Sequence, residues 1–395
     1  MNTYLTDKQL NTCYGCRACE GACPKGAIEI KPDSEGFLYP VLNKEHCVNC
    51  GICEKVCPFA SDDFSSDAQA VYAVQYKETE KLMASSSGGA FSAVADYVLQ
   101  KGGYVAGSVY DENLKVVHII GNNENDVARM RGSKYVQSDT ADTFNQAKAL
   151  LEKGELLLYT GTPCQIAGLK AFLCKDYENL ITVDLICHGV PSQKLFNDAI
   201  SLHEKRVGGK AVYFNFRDKQ SNGWITRGTV CFNVGSKAKI KKISPYDDYY
   251  YYYYYLQNSV SRMSCYSCKY AQKKRVSDIT IGDFWNIEKA LPNFDSRDGV
   301  SVMILNTEKS KEIFTEISEK LNFEESNIEI AANGNGNLQR PTEMPAKRVE
   351  TYKKINSIGF ENAAKQDCKL SYIKPAVKRM VPKTLKKKIK KLIGK

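Results

Sequence analysis

The 395-residue sequence lacks an apolar run long enough to span a bilayer, so we do not expect an integral membrane protein. Its first ten residues are polar and lack the apolar stretch of a signal peptide. Disulfides would require an oxidising compartment, which nothing in these residues supports. The 15 cysteines are therefore expected to stay reduced, in a cytoplasmic protein.

Acidic residues are absent from residues 374–395, and this tail alone accounts for the net charge of +10. The rest of the chain is near neutral, so we do not expect a nucleic-acid partner, which would require a basic face. Apolar residues in the tail recur at helical spacing against lysines. A basic amphipathic helix there would allow peripheral membrane contact, and a solvated terminus is the equal alternative. The apolar residues are Val377, Met380, Val381, Leu385, Ile389, Leu392 and Ile393.

Two copies of one cysteine spacing, Cys-x2-Cys-x2-Cys-x3-Cys-Pro, occupy residues 13–58. This is the pattern of bacterial two-cluster ferredoxins, in which the fourth cysteine of each copy ligates the other cluster. Zinc sites pair two Cys-x2-Cys arms across a longer gap and fit less well. We predict one 4Fe-4S cluster on Cys13, Cys16, Cys19 and Cys57. We predict a second on Cys47, Cys50, Cys53 and Cys23.

The remaining chain alternates strand and helix patterns, which predicts an α/β fold that is α+β overall. We expect a small bacterial-type ferredoxin domain with two 4Fe-4S clusters at residues 1–60 and a polar linker at 61–70. A larger mixed α/β region should follow, in an N-terminal part at 71–150 and a C-terminal part at 151–345. Residues 346–395 would form the tail.

Residues 156–186 predict a βαβ unit, with strands at 156–159 and 180–186 and a helix at 166–174. The two strands of such a unit are parallel, so the residues that follow them lie along the same sheet edge. Cys164 and Cys187 are therefore predicted neighbours at the carboxyl edge, where α/β folds bind ligands. Cys265 and Cys268 form a lone Cys-x2-Cys, which suits zinc, a redox pair or half a cluster site. Together these cysteines make a set of four.

Two further segments are ambiguous. The Ser/Gly-rich residues 85–89 lead into a predicted helix, so they suit either an anion site at a helix N-terminus or a plain serine cap. Seven consecutive tyrosines, Tyr249 to Tyr255, could stack on a flavin or carry electrons. Since adjacent rings point in every direction around a helix, we favour a repeat expansion on a half-buried helix.

Several motifs resemble the beta subunits of coenzyme F420 hydrogenases and dehydrogenases. They are the ferredoxin run, Ser87-Gly-Gly89, Gly132-Ser-Lys-Tyr-Val-Gln-Ser138, Gly161-Thr-Pro-Cys-Gln165, Cys265-x2-Cys268 and Ser277-Asp-Ile-Thr-Ile-Gly-Asp283. The likeness extends from Cys13 to about Trp285 and more weakly to Tyr352. The tyrosine run and the basic tail depart from the family pattern.

The resemblance implies an oxidoreductase whose larger domain binds FAD and a further cluster, and whose flavin passes a hydride to the deazaflavin coenzyme F420 or another small organic acceptor. Partners would be a redox protein or ferredoxin and that acceptor. A role in surface polysaccharide biosynthesis is a further hypothesis, because family members occur beside genes for surface glycans. The implied ligands of the third 4Fe-4S cluster are Cys164, Cys187, Cys265 and Cys268. The implied FAD-site residues are Ser87, Gly88, Gly89, Ser133, Lys134 and Tyr135.

The sequence has no Rossmann Gly-x-Gly-x-x-Gly fingerprint, so the flavin depends on the resemblance alone. His188, beside Cys187, is a candidate proton donor, and a structural hydrogen bond is the alternative role for this side chain. Three alternatives stay open. The chain could be a flavin-free electron carrier with a partner-docking domain, a flavoprotein acting on a sugar or another small molecule in place of the deazaflavin, or a protein with zinc at the four later cysteines.

Overall fold

A computed structural model describes residues 3–60, 64–224, 227–243 and 248–368. The predicted amphipathic helix at 377–393 lies outside these residues. The strands are β1 Ile28–Pro32, β2 Leu38–Leu42, β3 Ala70–Tyr76, β4 Tyr104–Tyr110, β5 Val116–Gly121, β6 Leu157–Gly161, β7 Leu180–Leu185, β8 Lys210–Asn215, β9 Gly228–Val234, β10 Lys237–Ile243, β11 Ile279–Asp283, β12 Ser301–Leu305 and β13 Leu321–Ser326.

Helices alternate with these strands, as the α/β prediction requires. The helices are α1 Tyr4–Asp7, α2 Ala18–Gly21, α3 Ile52–Lys55, α4 Thr79–Ala84, α5 Ala90–Gln100, α6 Glu124–Met130, α7 Thr143–Glu152, α8 Pro163–Leu173, α9 Gln193–Val207, α10 Lys219–Asn222, α11 Ile287–Ala290, α12 Glu308–Ile317, α13 Ile328–Gly334, α14 Arg348–Ile358 and α15 Phe360–Asp367. A π-helix covers Tyr250–Tyr255, and a 3₁₀ helix covers Met263–Ser267.

The large domain is built on one eight-stranded mixed sheet with the order β13-β3-β12-β11-β7-β6-β4-β5. Its centre is parallel, because β4, β6, β7 and β11 run in the same direction. The other pairs of neighbouring strands are antiparallel. Every residue of β6 is buried, as expected for a strand covered on both faces. This confirms the predicted mixed α/β fold, and strands from both predicted parts of the large region share the one sheet.

The N-terminal ferredoxin-type domain consists of the β1–β2 hairpin with the short helices α2 and α3 beside it. It is bound to the large domain through buried polar contacts. Arg17 pairs with Asp139, and Arg348 of α14 pairs with Glu35. The hydroxyl of Thr140 donates to the Cys16 carbonyl at 2.9 Å. The first cysteine loop therefore faces the large domain.

A second, three-stranded sheet of β8, β9 and β10 lies after α9. Its buried face shares an apolar core with α9, the π-helix and α15. Phe196 of α9 contacts Phe214 and Tyr250 at ring distances of 5.1 and 5.4 Å. This core holds the tyrosine segment against the end of the large sheet.

Candidate functional site

Five cysteines of the N-terminal domain line one small cavity of about 40 Å³, which we call the first cysteine cavity. They are Cys13, Cys16, Cys19 and Cys57, the predicted ligands of one cluster, together with Cys53. Gly15 and Arg17 have φ values of 73° and 63°, left-handed conformations that bend the loop between successive cysteines. The structure thus brings together three cysteines of the first run and the last of the second.

The remaining cysteines of the two runs lie nearer the surface. They are Cys23, Cys47, Cys50 and Cys53, of which Cys50 is exposed. The backbone N–H of Ala27 donates to the Cys23 sulfur at 3.2 Å, and that of Asn49 to the Cys47 sulfur at 3.4 Å. Backbone donors to sulfur suit thiolates that carry cluster charge. The exposure of Cys50 makes this group the one most accessible to an external electron donor.

The four later cysteines share a cavity of about 30 Å³, which we call the second cysteine cavity. They are Cys164, Cys187, Cys265 and Cys268. β6 and β7 pair in parallel, so the turns that follow them lie at the same edge of the sheet, as the βαβ pattern predicted. Cys164 lies in the first turn of α8, which a capping box between Thr162 and Gln165 starts.

Two buried hydroxyl groups line the second cysteine cavity without a hydrogen-bond partner among the described residues. They are those of Tyr14 and Ser264. An unpaired buried hydroxyl is costly, and the sulfides of a cluster would accept its hydrogen bond. Burial raises the pKa of the Cys164 and Cys187 thiols to about 12, so both keep their protons when no metal is bound. Binding of a metal would release these protons. These residues fit an iron–sulfur cluster.

Zinc fits the second cysteine cavity less well. Within the described part of the chain, no group of three or more His, Cys, Asp or Glu side chains is arranged to hold a single metal ion. Each thiolate around a cubane bonds a different iron, so a cubane needs a wider set of ligands than one zinc ion does.

A third cavity of about 460 Å³, the large cavity, opens at the carboxyl edge of β6, β7 and β11. Five of the residues that the resemblance implies for the FAD site, Ser87, Gly89, Ser133, Lys134 and Tyr135, line it, and so does the separate candidate His188. Its volume lies in the range of small-molecule and cofactor sites. Gly88 instead lies between strands, where a Cβ atom would come within 2.2 Å of the Val74 carbonyl oxygen. Its role in the fold is therefore close backbone packing.

The serine-rich loop forms one wall of the large cavity and leads directly into α5. The backbone N–H of Ser133 donates to the Ser86 hydroxyl at 2.8 Å, so this loop is tied to residues 132–135. Gly89, with φ of 82°, is the residue before α5, and no side-chain hydrogen bond caps this helix. The start of α5 lies at the cavity wall, since Gly89 and Ala90 both line it. The N-terminus of such a helix favours negative charge, such as a phosphate.

Lys134 brings a cation to the same wall. Its ammonium donates to the carbonyl oxygens of Met130, Arg131 and Gly132, each at 3.2 Å, and is in no ion pair with a carboxylate among the described residues. Burial lowers the pKa of Lys134 to about 7, and the charge of Arg129 adds to this effect. An anionic ligand in the cavity would stabilise the charged form.

Aromatic side chains also line the large cavity. Tyr251 and Tyr255 of the π-helix line the large cavity together with Tyr135. Their rings lie 4.8 and 5.0 Å from that of Tyr135 and 5.5 Å from each other. The interpretation of the tyrosine run as a half-buried helix holds for its burial, because Tyr250, Tyr251, Tyr254 and Tyr255 are buried. It overlooked the two rings at the cavity.

The second cysteine cavity adjoins both the first cysteine cavity and the large cavity. Tyr14 lines both cysteine cavities, and Thr162, Cys187, Gly189 and Val190 line both the second cysteine cavity and the large cavity. A continuous protein path therefore connects the N-terminal cysteines to the large cavity. His188, next to Cys187, lies on the cavity side of this path, and its backbone carbonyl accepts a hydrogen bond from Thr342.

Comparison with known proteins identifies two segments of the chain. Residues 154–330 match the family model for the C terminus of the coenzyme F420 hydrogenase/dehydrogenase beta subunit. Residues 12–61 match that of a 4Fe-4S dicluster domain. No curated protein sequence matches the chain. No helix of the described residues is both long and apolar enough to cross a membrane.

One of the similar solved structures is that of the F420-reducing NiFe hydrogenase complex from Methanosarcina barkeri, studied by xenon derivatization. The alignment covers 74% of this chain and 94% of that chain, with 16% sequence identity and a TM-score of 0.46.

Proposed function

Since the chain belongs to the coenzyme F420 hydrogenase/dehydrogenase beta subunit family and carries an N-terminal 4Fe-4S dicluster domain, we propose that it is an iron–sulfur flavoprotein oxidoreductase. The match to a 4Fe-4S dicluster domain supports electron transfer through iron–sulfur clusters. The finer proposal adds a third cluster, FAD and hydride transfer to a small organic acceptor. The observation that carries it is the adjacency of the two cysteine cavities and the large cavity.

Electrons would enter at the group containing the exposed Cys50, where a redox partner protein can approach. They would pass to the cluster of Cys13, Cys16, Cys19 and Cys57, then beside Tyr14 to that of Cys164, Cys187, Cys265 and Cys268. Cys187 lies at the wall of both its own cavity and the large cavity. This continuity supports one relay through the protein.

The lining of the large cavity supports the proposal that the protein binds a flavin. Its phosphate side would consist of Ser87, Gly89, Ser133 and Lys134, and its ring side of Tyr135, Tyr251 and Tyr255. Bound flavin supplies the conversion between one- and two-electron chemistry, which clusters lack. Gly88 lets the serine-rich loop pack closely against the backbone of Val74. A flavin-free electron carrier would leave this cavity, with its basic and aromatic walls, without a role.

His188 is the proposed proton donor to the acceptor. It lines the large cavity beside Cys187, and its ring makes no hydrogen bond within the described residues. The acceptor would be the deazaflavin F420 or another small organic molecule, and the surface-polysaccharide role would make it a glycan precursor. Assays with reduced protein and each acceptor separate these two. Replacement of His188 by Gln should slow acceptor reduction while flavin content stays unchanged.

The test is anaerobic purification with quantification of iron, sulfide, zinc and flavin. We expect about twelve irons per chain for three cubanes, and one FAD. Replacement of Cys164 by Ser should remove about four irons, whereas the same change at the exposed Cys174 should remove none. About eight irons without flavin would refute the flavoprotein proposal, and zinc in place of the last four irons would refute the third cluster.

A further inference from the structure

Arg262 is fully buried between the two cysteine cavities and contacts the first cysteine directly. Its exposed fraction is 0%, and it lines the second cysteine cavity. Its Nε donates to the Cys13 carbonyl oxygen at 2.8 Å, and its Nη2 lies 3.3 Å from the Cys13 sulfur. Nη1 donates to the Gln137 side-chain oxygen at 3.1 Å. The guanidinium is thus held rigidly against a predicted cluster ligand.

The other buried arginines of the described residues have carboxylate partners, and Arg262 does not. Arg217 pairs with Asp283, Arg275 with Asp184 and Arg348 with Glu35. In place of a carboxylate, Arg262 has the sulfur of Cys13 and, 4.0 Å away, the ring of Tyr39. A buried cation without a counter-charge is strongly unfavourable. No carboxylate of the described residues pairs with Arg262, so the Cys13 thiolate and a cluster bound there would supply the missing negative charge.

Arg262 also connects to the second cysteine cavity through its own chain segment. The backbone N–H of Cys265 donates to the Arg262 carbonyl oxygen at 2.9 Å, at the start of the 3₁₀ helix Met263–Ser267. The residue that contacts Cys13 therefore also positions a predicted ligand of the third cluster. By contrast, Cys23 and Cys47 of the second predicted cluster accept from backbone N–H groups.

We propose that Arg262 raises the reduction potential of the cluster held by Cys13, Cys16, Cys19 and Cys57 and so directs electrons inward. A 4Fe-4S cluster becomes more negative on reduction, so a fixed positive charge and a donor to its thiolate stabilise the reduced state. One electron would leave the cluster held by Cys23, Cys47, Cys50 and Cys53, which would be oxidised, and would reduce the cluster held by Cys13, Cys16, Cys19 and Cys57. The inference rests on the dicluster part of the proposed function and is independent of the flavin.

The experiment is a redox titration of the anaerobically purified full chain, followed by EPR, for the wild type, Arg262→Gln and Arg262→Lys. The Gln variant removes the charge, and we expect a more negative potential for the first cluster with little change at the surface cluster. The Lys variant keeps the charge without the fork of donors, so its shift should be smaller. Arg297→Gln is the control, because this side chain is exposed and pairs only with Asp295 in the described structure.

An unchanged first-cluster potential in Arg262→Gln, with full iron content, would overturn the proposal. If the Gln variant loses about four irons instead, retention of that iron in Arg262→Lys would support the requirement for charge, and equal loss in both would attribute Arg262 to packing alone. Flavin content, measured in the same samples, reports separately on the flavoprotein proposal. If the purified chain contains no flavin but the variants show the expected shift in potential, the flavoprotein proposal is refuted and the proposal for Arg262 stands.

Discussion

Cys16 packs directly against Gly168, so that a Cβ atom at position 168 would lie 2.9 Å from the Cys16 sulfur and 2.8 Å from its Cβ atom. Gly168 is in α8, one turn after Cys164. The helix that carries a predicted ligand of the third cluster therefore also supports a predicted ligand of the first. This close approach, possible because residue 168 has no side chain, sets the spacing between the two cysteine cavities.

Replacement of Gly168 by Ala should displace Cys16, because both contacts would be shorter than carbon and sulfur atoms tolerate. We expect the free energy of unfolding to fall by about 1–3 kcal/mol, as for other overpacked sites. The iron of the first cluster should also be lost faster in air. Urea denaturation and the rate of iron release measure the two effects.

The control for Gly168→Ala is Gly336→Ala, at a site where a Cβ atom would meet no heavy atom within 4 Å. It should change neither quantity. If Gly168→Ala retains its iron as well as the control does, the helix does not determine the position of Cys16.

The sequence predicted the sites wherever topology alone determines which residues meet. Parallel strands in a βαβ unit are predicted to place Cys164 and Cys187 at one edge; β6 and β7 are parallel in the structure, and both cysteines line the same cavity. Arg262 could not be found this way, because its contact with Cys13 depends on packing across two domains. Tyr251 and Tyr255 are four residues apart and so share one side of their helix, but which side borders the large cavity depends on tertiary packing that the sequence does not show.

Replacement of Tyr251 or Tyr255 by Leu should weaken flavin binding roughly 2- to 10-fold, the range expected for the loss of one aromatic contact. The Phe variants keep the ring and should bind almost as the wild type does. Fluorescence titration of the flavin-depleted protein provides the affinities. Tyr253→Leu is the matched control, because this ring is partly exposed and its hydroxyl donates to the Asp367 carbonyl oxygen. Equal losses in the Leu variants and the control would show a general effect of the tyrosine segment on stability.

His118 should make stability depend on pH. Burial lowers its pKa to about 4, and its ring contacts the Ser138 hydroxyl at 2.7 Å and the Thr160 carbonyl oxygen at 3.0 Å. Below pH 6.5 the unfolded chain binds a proton at this residue that the folded chain refuses, so the free energy of unfolding falls as the pH decreases toward 4.

The comparison that isolates His118 is urea denaturation of the wild type and His118→Gln at pH 7.5 and 5.5. The carboxylates titrate in both proteins, so their contribution cancels in the comparison. Position 118 titrates only in the wild type, because a Gln side chain gains no proton. We expect the wild type to lose about 1 kcal/mol more than the variant over this interval. Equal losses would mean that the folded protein accepts the proton on His118.

Lys134 should also make the affinity for flavin depend on pH, with weaker binding as the pH rises through 7. Its pKa of about 7 in the ligand-free protein means that the ammonium is mostly charged at pH 6 and mostly neutral at pH 8.5. Phosphate binds the charged form better, so the affinity for FAD should fall as the pH rises through 7, up to about tenfold per pH unit. Lys134→Met should bind weakly with a flat profile, and Lys134→Arg, charged at every pH, should also give a flat profile at higher affinity. If the FAD affinity of Lys134→Met depends on pH as steeply as that of the wild type, the phosphates do not bind near Lys134. The role of this side chain would then be to donate to the carbonyl groups at the end of α6.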